Sequence, residues 1–170
     1  NGVLGQAGGV KYLLFNASFR ITFWLRVGNF LKERNNFIFR LMYAIVFLIY
    51  KHQQWLTGIQ IPIGTNVGKG LVFGHFSCII VNGGAKIGEN CTIYQGVTIG
   101  GMRGQGSPVI GNNVVIFAGA KIIEKVRVGD YAVIGVNAVV TKDVPDNAVV
   151  AGVPAKVLSY KGKETGGLYF

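Results

Sequence analysis

One period of six residues constrains this chain more than any other feature. Taking every sixth residue from Ile63 gives Ile63, Lys69, His75, Val81, Ile87, Ile93 and Ile99. After a short insertion the series resumes as Ile110, Ile116, Ile122, Val128, Ile134 and Val140. Eleven of these thirteen anchors are Ile or Val. Small or branched residues recur four places after them, as at Val67, Ile79, Ala85, Cys91, Val97 and Val114. A fixed short period of this kind is the signature of a solenoid, in which each repeat buries its apolar residue only by stacking on its neighbours. A hexad is one side of a triangular coil, with the anchor pointing inward. Each corner needs a tight turn, which accounts for Gly after many anchors (Ile63-Gly64, Ile87-Gly88, Ile99-Gly100) and for Asn66, Asn90, Asn113 and Asn137, since Asn tolerates left-handed backbone. The fold expected is therefore mainly β, a parallel β-helix over residues 59–158.

The preceding residues follow a helical pattern from about 10 to 58, broken at Glu33-Arg34-Asn35-Asn36. The run from Phe37 to Leu56 carries only Arg40 as a charge up to Tyr50, and it falls short of the roughly 18 apolar residues that a membrane span needs. Seven Lys or Arg (Lys11, Arg20, Arg26, Lys32, Arg34, Arg40 and Lys51) stand against one acid, Glu33. Two readings of residues 1–58 stay open: a helical pair packed on its own domain and on neighbouring subunits, or a basic surface touching an anionic membrane. No charged, apolar and small-residue leader pattern opens the sequence. The tail 159–170 includes a stretch, Glu164 to Phe170, that partly resembles a cleaved protease-site tag and is left out of the functional reading.

The net charge of +10 admits nucleic acid, a membrane or an anionic small molecule as partner. The charges are scattered among apolar residues without a nucleic-acid module, so nucleic acid is not expected. Cys78 and Cys91 form no C-x-x-C pair, which argues against a metal site or a disulfide framework and for a reducing, cytoplasmic setting. A zinc centre of three histidines is excluded in the repeat region, where His75 is the only His.

Three stretches are more specific: Gln95-Gly96-Val97-Thr98-Ile99-Gly100-Gly101, Val139 to Pro145, and Val150-Ala151-Gly152-Val153-Pro154-Ala155-Lys156-Val157. With His75 they resemble the serine acetyltransferase branch of the hexapeptide-repeat acyltransferases. The helical front end, with Tyr50-Lys51 leading to Gly58-Ile59-Gln60, looks closer to the colanic-acid and capsule acetyltransferases of that branch. The resemblance implies a left-handed β-helix, a homotrimer with active sites between subunits, and acetyl-CoA as acetyl donor, with no metal.

Transfer of acetyl to a hydroxyl needs a base, and a neutral imidazole suits that role. His52 lies among Lys51, Gln53 and Gln54 and reads as helix surface. His75 holds an anchor slot otherwise filled by Ile or Val, where an unpaired imidazole is costly, and the resemblance makes it the general base. Where the family has an orienting Asp, this sequence has Gln60, which can accept a hydrogen bond from the ring but carries no charge. The resemblance assigns the donor to Gly101, Ala118, Val136, Thr141 and Lys142, with Lys156 assisting. The family's Arg-His-Pro ends here as Gly106-Ser107-Pro108, and Gly74 replaces an Asp. These departures favour a neutral sugar hydroxyl, free or on a lipid-linked oligosaccharide, held by Asn82, Gln95, Arg103 and Ser107. The expected function is sugar O-acetylation in surface polysaccharide biosynthesis. Serine acetylation and a non-catalytic β-helix scaffold are the alternatives.

Overall fold

The computed structural model describes residues 16–101 and 106–167. It begins with two helices. Helix α1 (Ala17–Lys32) starts where the Asn16 side chain accepts from the Phe19 amide, and α2 (Phe37–Thr57) starts where Asn36 accepts from the Ile38 amide, both ordinary N-caps. Gly58, in left-handed conformation, ends α2 and turns the chain into the first strand.

From there the chain winds around three parallel sheets. The first face holds β1 (Ile59–Gln60), β4 (Ile79–Val81), β7 (Thr98–Gly100), β10 (Lys121–Ile123) and β13 (Val139–Val140). The second holds β2 (Asn66–Val67), β5 (Lys86–Ile87), β8 (Val109–Ile110) and β11 (Arg127–Val128). The third holds β3 (Val72–Phe73), β6 (Thr92–Ile93), β9 (Val115–Ile116), β12 (Val133–Ile134), β14 (Val149–Ala151) and, antiparallel at its end, β15 (Lys156–Ser159). This is the β-helix with N-terminal helices that the six-residue period predicts. Three aliphatic columns fill it, for example Ile93, Ile116 and Ile134, each fully shielded from solvent.

The first coil departs from the expected phase. Val67 pairs with Ile87 and Phe73 with Ile93, each 20 residues apart. The coil that follows β9 repeats at 18, from Ile116 to Ile134. The inward residues of the first coil are therefore Ile61, Val67 and Phe73, not Ile63, Lys69 and His75. Ile61 and Phe73 are buried and Val67 packs against the core, whereas His75 is exposed. Counting back by six from Val81 misses two extra residues. Backbone pairing locates them: the Gly74 amide donates to Ile93 and the Gly96 amide donates to Ser77. Gly74 thus matches Tyr94 and Ser77 matches Gln95, leaving His75 and Phe76 as a two-residue outward bulge. Of the expected corner residues, Asn90, Asn113 and Asn137 have φ between 53° and 55°, while Asn66 lies on β2 instead.

The helices close the open end of the coil stack. Tyr50 Oη and Gln54 Nε2 both donate to the Ile61 carbonyl, at 2.7 and 2.9 Å. From α1, Arg26 donates to the Gly68 carbonyl at 2.6 Å, and Asn29 accepts from the Gly64 amide at 2.7 Å while donating to Thr65. These contacts occupy backbone groups that a bare end coil would leave unpaired. At the other end, β15 and the short helix α3 (Gly162–Gly166) lie against the last coil, where Gly162 and Lys163 amides donate to Asn147. Residues 164–166 of the tag-like stretch thus belong to this docked helix; residues 168–170 lie outside the described residues.

Candidate active site

Strand register assembles the site from residues far apart in sequence. Two residues beyond the inward anchors Ile93, Ile116 and Ile134 stand Gln95, Ala118 and Val136, one above another at the corner where the third face turns into the first. The His75-Phe76 bulge lies at the foot of this line. Its backbone continues through Ser77 (φ 147°) and Cys78 (φ 51°), conformations uncommon for side-chain-bearing residues. They lift the two inserted residues out of the sheet, so the imidazole projects outward.

The contact that orients His75 is aromatic. Its ring lies 6.0 Å from that of Tyr94, centroid to centroid, and Tyr94 stacks on Phe117 at 5.3 Å. A side chain at Gly74 would put its Cβ 2.6 Å from Tyr94 Cε1, so the ring can lie there only because residue 74 is Gly. Sequence reading missed Tyr94 and Phe117; their spacing of 23 residues, the 18-residue coil plus the inserted loop, carries the only signal for them.

Gln60 is not joined to His75. Among the described residues no hydrogen bond links the two. Gln60 lies on the outer side of β1 and lines a cleft of about 350 Å³ with Lys51, Gln54, Trp55, Pro62 and Ile80. In the single chain the Gln60 side chain opens toward α2.

The other edge of the first face collects a second group. Val81, Ile99, Ile122 and Val140 share one register, so Asn82 and Thr141 share the next position, and Gly101 and Lys142 the one after. Ser107 Oγ donates to Asn82 Oδ1 at 3.0 Å, and Asn82 Oδ1 also accepts from the Gly84 amide at 2.9 Å. Gly101 packs against Ser107, since a Cβ there would come within 2.5 Å of Ser107 Oγ. Lys142 and Lys156 are exposed. Arg103 lies outside the described residues. The structure thus gathers Gln95, Ala118 and Val136 beside His75, and Asn82, Gly101, Ser107, Thr141 and Lys142 at the opposite edge of the same sheet.

Cys91 is buried and does not reach this group as a nucleophile. Burial pushes the Cys91 thiol up to about 11, which disfavours the thiolate that would react.

The pattern described as bacterial transferase hexapeptide (six repeats) matches residues 107–142. The chain is 32% identical over 157 residues to a serine acetyltransferase of Synechococcus elongatus, covering 91% of this chain and 62% of that protein. Its fold matches a serine acetyltransferase solved in complex with CoA, with a TM-score of 0.74 and 31% identity over 86% of this chain and 59% of the other. It also matches the Neisseria gonorrhoeae serine acetyltransferase in complex with serine, with a TM-score of 0.74 and 29% identity over 87% and 59%. The chain thus spans about three fifths of the length of these relatives.

These relatives overturn the expectation of a sugar acceptor and of a role in polysaccharide biosynthesis: they are serine acetyltransferases. The structure explains why the substitutions misled. Gly74 makes room for the Tyr94 ring, and Ser107 Oγ is spent on Asn82. Both identities report local packing at coil corners, so neither is a reading of the acceptor.

Proposed function

We propose that the chain is an acetyl-CoA-dependent O-acetyltransferase acting on L-serine, with His75 as general base, and that it works as a homotrimer with its sites between subunits. The likeness to serine acetyltransferases across both the helices and the β-helix carries this reading. The projecting imidazole of His75 supports it chemically. Bound acetyl-CoA supplies a thioester carbonyl. Ala118 and Val136, on the line above His75, offer a side-chain-poor or apolar track for a slender arm, and exposed Lys142 and Lys156 offer cations to phosphates.

In the reaction, His75 takes the serine hydroxyl proton as that oxygen adds to the thioester carbon. The C–S bond then breaks, and the same proton passes from His75 to the departing sulfur. No acyl-enzyme forms. Tyr94 limits where the imidazole can point, and such fixed geometry is part of what lowers the barrier.

Thiol release by the full chain, measured with L-serine and with a panel of sugars, tests the reading. Serine should be the preferred acceptor, and His75→Ala should lose about 100-fold or more in kcat while still binding CoA. Full activity in His75→Ala, or a sugar turned over as fast as serine, refutes it.

A further inference from the structure

Helix α2 uses only one of its sides inside the protein. Val46, Tyr50, Gln54 and Thr57 are buried, and they form a single stripe. At 100° per residue, Ile38, Leu41, Ile45, Leu48 and Leu56 fall on the opposite side, where each is between 54% and 69% exposed. Phe37 and Trp55, near the two ends, are 79% and 86% exposed. Apolar surface this extended and this open, broken only by the exposed His52 between Leu48 and Leu56, marks an interaction site.

The charges say what it meets. Arg40 and Lys51 lie about three turns apart and so share one flank of the stripe. No acidic residue occurs on α2, and Glu33 is the only acid from residue 16 to the end of that helix. A second copy docking through this face would bring like charges together without acidic partners, which is unfavourable. An anionic lipid surface complements both features at once: acyl chains for the stripe and phosphates for the flank. Exposed aromatics near the helix ends suit the headgroup level. With 21 residues the helix is about 30 Å long. No helix among the described residues is long and apolar enough to cross a membrane, so this contact is one of lying on the surface.

We propose that α2 docks its outer stripe flat on an anionic phospholipid bilayer, with Arg40 and Lys51 at the headgroup phosphates. This is independent of the acceptor and of the chemistry at His75. Flotation of the full chain with vesicles tests it, using phosphatidylcholine alone and phosphatidylcholine with one third phosphatidylglycerol. Binding should be at least about tenfold stronger to the anionic vesicles and should weaken as salt rises. Ile45→Glu/Leu48→Glu should abolish it, and Arg40→Glu/Lys51→Glu should remove the preference for anionic lipid. These residues are exposed, so circular dichroism and melting of the variants should match wild type. Absent binding, equal binding to both vesicle types, or binding indifferent to Ile45→Glu/Leu48→Glu overturns the proposal. So does a lipid-free assembly that becomes smaller in Ile45→Glu/Leu48→Glu, because that would assign the face to a second copy.

Discussion

Replacing Phe73 and His75 by Ala, one at a time, separates the two possible phases of the first coil. If Phe73 is the inward residue, Phe73→Ala removes a ring that is 4% exposed and stacked on Ile93. Large-to-small changes of this kind cost about 3–5 kcal/mol, the spread reflecting how far the surroundings collapse. Phe73 sits in the first coil, with strand neighbours on one side only, so the lower end, about 3 kcal/mol, is expected. For a chain of this size that lowers Tm by roughly 6–12 °C at about 2–4 °C per kcal/mol. His75 projects from the bulge and makes one ring contact, so His75→Ala should change stability by no more than about 0.5 kcal/mol. Urea melts followed by circular dichroism measure both, and thiol release measures activity on the same samples. His75→Ala should be stable and inactive; Phe73→Ala should be unstable, and active at low temperature. A large loss of stability in His75→Ala with little in Phe73→Ala would refute the two-residue bulge and return His75 to the core.

Native thiol titration should detect Cys78 quickly and Cys91 only on unfolding, since one is exposed and the other buried. The Cys91 thiol is raised in the folded state, from about 9 to about 11. The stability it contributes is present in full below pH 9 and is lost as pH rises toward 11; Cys91→Ala should flatten that alkaline limb in denaturant melts. Gly119, at φ 74° and against Asn137, should lose about 1–3 kcal/mol as Gly119→Ala. Tyr50→Phe and Gln54→Leu each leave the Ile61 carbonyl one donor, so each should cost about 1 kcal/mol, with the double variant costing more than the sum.

The sequence by itself determined the β-helix, its helical preface and the break at residues 33–36. Solenoid stacking writes its period directly into the chain, because every coil must bury the same kind of residue. It also marked His75 as the residue out of keeping with its surroundings, and it supplied Gln95, Ala118 and Val136, which the register then placed in one line. Tertiary structure decided what a fixed period cannot carry. An insertion of two residues leaves the count by six unbroken to the eye, since Ile63 is itself apolar, yet it shifts the first coil and turns His75 from a core position into a projecting one. Only pairing between coils reveals it, through Gly74 on one side and Ser77 on the other. The same non-local pairing brought Tyr94 over Gly74, tied Ser107 to Asn82 and turned Gln60 toward α2. The side of α2 left bare was equally beyond the sequence: its residues are apolar nearly all round, and packing alone chooses which of them are covered.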